Sequence, residues 1–179
     1  MRRTSFIGAV AFVMLLIAAG GAWAQDGRAF TRLRAFDEVP ALSTPGGGRF
    51  EAHLTNDDTI EYELTYFNIR GVVTQSHVHF AQHGVNGGIM FFLCSNLGNG
   101  PVGTQACPPD GTRENPARIT GTIHAADVIG GANAQGIGAG EFSEVLRAIR
   151  AGIAYANIHT DLFPGGEIRG QLIFLPDVP

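Results

Sequence analysis

Two histidines, His77 and His79, alternate along the segment Ser76-His77-Val78-His79-Phe80-Ala81-Gln82-His83-Gly84. On an extended strand, residues i and i+2 project to the same side. The two imidazoles therefore leave the chain together, while Val78 and Phe80 point the other way, into a core. Neutral imidazole suits copper, zinc, iron or nickel, so the pair is a candidate half of a metal site. His83 lies just past the strand end, where a loop could fold it back as a further ligand. A second segment, Tyr155-Ala156-Asn157-Ile158-His159-Thr160-Asp161, places Tyr155, Asn157 and His159 on one face. Pro164-Gly165-Gly166 then makes a turn, and Glu167-Ile168-Arg169-Gly170-Gln171 returns. If the strand of His159 lies beside that of His77 and His79, three imidazoles converge; sequence alone does not establish the adjacency.

A purely structural account stands beside this one. A His-x-His pair on a wet strand face needs no metal. His53 alternates with the apolar face of its strand and reads as solvent-facing. His124 sits at a strand-to-helix junction, where it can cap a turn. Glu61 and Glu63 share a strand face, which solvation explains better than paired acid–base catalysis. Other chemistries are excluded more firmly. The chain has no lysine, which removes Schiff-base and lysine-nucleophile mechanisms. No G-x-S-x-G elbow occurs, and Gly46-Gly47-Gly48 lacks the Lys-Ser/Thr and the βα context of a phosphate loop.

The elements that must position these residues are mostly strands. Phe50, Ala52 and Leu54 alternate with Glu51, His53 and Thr55, and Ile60, Tyr62, Leu64 and Tyr66 alternate with Glu61, Glu63 and Thr65. Such period-two patterning marks half-buried strands, and Asn56-Asp57-Asp58 joins these two as a hairpin. Further strands are expected over 73–81, over 88–94 as a fully buried apolar run, and over 117–124, 153–160 and 167–174, with 28–36 first. Phe142, Val145, Leu146 and Ile149 follow helical spacing, with Glu141, Glu144, Arg147 and Arg150 on the opposite face. Gly152 suits the position after the helix end. Residues 125–129 read as a short helical turn, and the glycine-rich 130–140 as a mobile connection. Eight short strands and one amphipathic helix predict a mainly β domain, an antiparallel Greek-key sandwich or barrel.

Met1-Arg2-Arg3, the apolar run from Phe6 to Ala19, and Ala22-Trp23-Ala24 have the layout of a secretory signal peptide. The expectation is a signal over residues 1–24, cleaved after Ala24, and one domain over 25–179 that is periplasmic or secreted. The run is shorter than the ~20 residues a spanning helix needs, and no second run of that length follows. Beyond residue 24, ten arginines face sixteen acids, a net charge of −6. An acidic domain without a basic run is a poor partner for nucleic acid or an anionic membrane. Cys94 and Cys107 fall in the exported part, where a disulfide is the default. Closing the small, turn-rich loop between them is worth about 3 kcal/mol in the chain-entropy model.

Several segments together carry a family resemblance. They are Phe30-Thr31 through Glu38-Val39-Pro40, Ser76-His77-Val78-His79, Gly84-Val85-Asn86-Gly87-Gly88, Phe92-Leu93-Cys94, and Ala154-Tyr155-Ala156-Asn157-Ile158-His159-Thr160 with Phe163-Pro164-Gly165-Gly166-Glu167-Ile168-Arg169-Gly170-Gln171-Leu172. Over about Ala29 to Phe174 the chain resembles the CHRD domain, found in chordin and in bacterial exported proteins. The resemblance implies an extracytoplasmic β domain with His77, His79 and His159 on motif positions. A weaker likeness is to copper-zinc superoxide dismutases, which carry a His-Val-His strand, a later strand histidine and a glycine-rich return with an arginine. The departures are large: no zinc-ligand cluster is evident, and both cysteines sit in one loop.

Three functions follow as expectations. The first is an exported metal-binding protein using His77, His79 and His159, with His83 as a fourth ligand and Glu167 and Arg169 orienting the site. Copper fits best and zinc next. The second is a metal-free extracytoplasmic module, in which the same residues form a buried hydrogen-bond network and glycine-rich loops contact a protein or carbohydrate partner. The third is a dismutase-like enzyme. No catalytic residue is assigned, and the reading leans away from an enzyme.

Overall fold

The computed structural model describes residues 26–55 and 59–178. The expected signal peptide and the Asn56-Asp57-Asp58 turn lie outside the described residues. Nine strands form one antiparallel sheet: β1 Gly27–Arg34, β2 Gly47–Leu54, β3 Ile60–Phe67, β4 Val73–Phe80, β5 Gly88–Ser95, β6 Ala117–Ile123, β7 Ala154–Thr160, β8 Ile168–Gln171 and β9 Ile173–Pro176. Their order is β5-β4-β7-β8-β1-β2-β3-β6, with β9 also on β1. The sheet curls until its two ends, β5 and β6, approach one another, giving a nearly closed barrel.

The alternating residues fill that barrel as their period predicts. Phe50, Leu54, Ile60, Leu64 and Tyr66 join Val78, Phe91, Ile158 and Ile168 in one buried cluster. Helix α1, Phe142–Arg150, adds its apolar stripe of Phe142, Val145, Leu146 and Ile149 to the same cluster. Its end is a Schellman cap: Gly152 is left-handed at φ 71° and its N–H donates to Ile149 O, while Ile153 N–H donates to Ala148 O.

The gap between β5 and β6 is spanned by the loop that the Cys94–Cys107 disulfide closes. Ser95 N–H donates to Gln105 O at 2.9 Å, and the Gln105 side-chain amide donates to Thr120 O on β6 at 3.0 Å and to the Tyr62 hydroxyl at 2.8 Å.

Two expectations need correction. The last strand is two, because Leu172 turns inward between β8 and β9 and donates its N–H to Ala154 O; β8 then pairs with β7, and β9 with β1. The glycine-rich 130–140 is not a mobile connection but packed structure, with a 3-10 turn at Gly130–Gln135 and Ala132 and Ile137 buried. Its glycines allow backbones to cross closely: a Cβ on Gly131 would lie 2.6 Å from Ile89 O, and one on the facing Gly88 of β5 would lie 2.3 Å from Gly131 O.

Candidate metal centre

The strand of His159 does lie beside that of the His-x-His pair. β4 and β7 are antiparallel neighbours, with Gln75 opposite His159, His77 opposite Asn157 and His79 opposite Tyr155. Ser76 and Val78 on β4, and Ala156 and Ile158 on β7, face inward. The alternation therefore turns all three imidazoles to the outside of the barrel wall, where loops cover them. His77 is 0 % exposed, and His79 and His159 are each 7 % exposed.

Strand β5 completes one wall. Two register shifts against β4 break its alternation, so that Phe92 stands beside His77 while Phe91 still faces the core. The rings of Phe92 and His77 meet edge-on at 4.3 Å. Bulges of this kind re-aim side chains next to functional sites. On the other side Tyr155 stacks flat on His79 at 4.7 Å and carries the Arg169 guanidinium 3.8 Å from its own ring centroid.

Backbone carbonyls fix two of the imidazoles. His79 Nδ1 lies 3.0 Å from Gly87 O, and His159 Nδ1 lies 2.9 Å from Pro164 O. A carbonyl only accepts, so both rings carry their proton on Nδ1 and present a bare Nε2. This is the arrangement by which proteins orient metal-binding histidines. His77 Nδ1 sits 3.2 Å from His159 Nε2. The Nε2 atoms of His77 and His79 are buried without a partner among the described residues. Buried polar atoms are rarely left so.

One nitrogen from each ring falls within 4.8 Å of the others. Two nitrogen ligands at ~2.05 Å from one ion are about 2.9 Å apart at a right angle and about 3.3 Å apart at the tetrahedral angle. His159 Nε2, being bare, accepts from His77 Nδ1–H at 3.2 Å, so a metal held by His159 replaces that hydrogen bond, and nitrogens as far as 4.8 Å apart must close by up to about 1.5 Å to reach the tetrahedral spacing. Burial, reinforced by the neighbouring imidazoles, pushes His77 down to about 2. Burial likewise takes His79 to about 3 and lowers His159. All three are neutral, the form that ligates metal.

The other expected site residues are dispersed. His83 is exposed and lines a shallow groove with Phe30, Arg32 and Gln171, outside the cluster. Glu167 is fully buried but does not reach the imidazoles. Its carboxylate accepts from Arg70 N–H at 2.7 Å, Gly71 N–H at 3.2 Å and the Thr160 hydroxyl at 3.1 Å. Thr160 Oγ1 in turn accepts from Phe163 N–H at 3.1 Å, steadying the loop whose Pro164 O holds His159. Arg169 is 4 % exposed, with its Nε 3.6 Å from the Glu38 carboxylate, and it also donates to Asn86 Oδ1. His53 stands 3.4 Å from Asp177, and the Asp127 carboxylate caps His124 N–H at 2.8 Å.

Glu38 is the polar partner that sequence reasoning passed over as a site residue. It is buried, accepts from Asn157 Nδ2, and faces Arg169. Burial pushes its carboxyl up to about 7, against the pull of Arg169 and Asn157. The only hint of its role was its place in the Glu38-Val39-Pro40 stretch of the family resemblance.

A family model described as the CHRD domain matches residues 30–172, a span that includes all three histidines and both cysteines. Neither the curated proteins nor the solved structures give a match.

Proposed function

The chain belongs to the CHRD domain family, and on that premise we propose that it is an exported protein that binds a transition metal, copper ahead of zinc, through His77, His79 and His159. The observation that carries this reading is the convergence of three neutral, buried imidazoles, two with an unpartnered Nε2. The donor set suits the ion, since imidazole serves copper and zinc well. The Cys94–Cys107 disulfide supports a periplasmic or secreted setting, where such bridges persist. No helix among the described residues is long and apolar enough to cross a membrane.

The test is the metal content of protein purified from an oxidising compartment, beside the His77→Ala/His79→Ala variant. The expected result is about one equivalent of copper or zinc per chain in the wild type, lost in the variant. Equal metal in both, or none in either after incubation with each ion, refutes the reading.

A second reading is favoured by the His77–His159 contact and the Glu38–Arg169 pair, which already form a polar layer without metal. In that case the layer is structural, and the protein is a module for an extracellular partner. The dismutase analogy gains less support, because Arg169 is buried against Glu38 and Tyr155 rather than presented to solvent.

A further inference from the structure

We propose that the three-histidine site takes copper as the monovalent cuprous ion and discriminates against divalent ions, Zn2+ and Cu2+ alike; this rests on the metal-binding reading above. The first argument is charge. The cost of moving an ion out of water scales with the square of its charge, so a divalent ion loses about four times what a monovalent ion of the same size loses. The imidazoles are nearly or wholly buried, and the Phe92 and Tyr155 rings wall them in.

Divalent sites often offset that loss with anionic ligands, or with a bound hydroxide where three imidazoles hold the ion; this cluster carries no carboxylate or thiolate among the described residues. Both cysteines are bridged and unable to ligate as thiolates. Glu38 is occupied by Arg169 and Asn157. Glu167 is occupied by two backbone amides and the Thr160 hydroxyl. The Arg169 guanidinium rests on the ring that stacks on His79, so the nearest fixed cation also opposes added positive charge.

The second argument is coordination number. Cu2+ takes a tetragonal set of nitrogen and oxygen donors, and Zn2+ fills a tetrahedron, with water where protein ligands run short. Three imidazoles leave either ion to draw its remaining ligands from water, to which no ring of the triplet is more than 7 % exposed. A closed-shell monovalent ion is satisfied by three.

The experiment titrates the purified protein anaerobically with Cu+ against a cuprous chelator, and separately with Cu2+ and Zn2+ against divalent chelators. Ag+, monovalent and closed-shell, gives a parallel measurement in air. A solvent-exposed three-imidazole peptide is the reference. The expected result is a Cu+-over-Cu2+ preference about 100-fold greater than the peptide's, a midpoint potential raised by about 120 mV. Phe92→Ala admits water beside His77 and should remove about tenfold of that preference, about 60 mV. A preference equal to the peptide's overturns the inference and leaves the metal reading standing. Uptake of none of the four ions overturns both. If Phe92→Ala fails to fold, the comparison of wild type with peptide still decides.

Discussion

Buried neutral histidines make the metal-free protein labile to acid. In the unfolded chain His77 and His79 titrate near the ordinary value of about 6.5, whereas in the fold they are held at about 2 and about 3. The unfolded state therefore binds more protons below pH 6.5. The stability these groups allow is present above that pH and is lost as the pH falls. Between pH 7.5 and 5.0 each contributes a loss of about 2 kcal/mol, roughly 4 kcal/mol for the pair. That is a large part of the 5–15 kcal/mol typical of a domain. Glu38 works in the opposite sense. Its raised value makes its stability contribution complete below the ordinary 4.5 and lost as the pH rises toward 7. The assay is urea unfolding of chelator-treated protein at pH 7.5 and 5.0, wild type beside His77→Gln/His79→Gln. Glu38 is common to both proteins and cancels. The wild type should lose roughly 4 kcal/mol more than the variant, a midpoint difference of about 2 M at a slope near 2 kcal/mol/M. Equal losses in the two proteins would refute the claim that burial keeps these rings neutral.

Two further outcomes test the supports of the site. Glu167→Gln leaves the Gly71 N–H and the Thr160 hydroxyl without the carboxylate oxygen that both use. It should cost about 2 kcal/mol, read as a lower thermal midpoint with metal stoichiometry unchanged, since Glu167 touches no imidazole. Gly88→Ala drives a methyl against the Gly131 carbonyl and should destabilise by about 1–3 kcal/mol, measurable by the same urea unfolding; a neutral effect would show that the crossing of β5 over Gly131 can yield.

Local pattern reached most of the framework. The alternation from Phe50 to Tyr66 reads directly as the β2–β3 hairpin, and the spacing of Phe142, Val145, Leu146 and Ile149 as α1, because each depends on neighbours close in sequence. The Cys94–Cys107 bridge was equally accessible, since two cysteines allow one pairing. The site was only half legible. The i,i+2 rule puts His77 and His79 on one face, but His159 arrives from 82 residues away by strand pairing, which no local period encodes. The placement of Phe92 depends on two register shifts in β5, which an unbroken apolar run conceals. His83 misleads by proximity in the chain: the strand ends before it, and the connection leads it outward. Gly131, within the glycine-rich 130–140, reads as flexibility when its lack of a side chain serves contact.

The division of β4 and β7 into a core-facing set and an imidazole-bearing set gives the wall two independent ledgers of constraint. Val78, Ala156 and Ile158 answer to the volume inside; His77, His79 and His159 answer to whatever lies under the loops. A descendant could exchange the outer set and keep the barrel, or repack the inner set and keep the triplet. Architecture in such a lineage can outlive its ligand. Relatives should accordingly be sorted by the histidine triplet, since the shape of the barrel alone does not say which chains carry an ion.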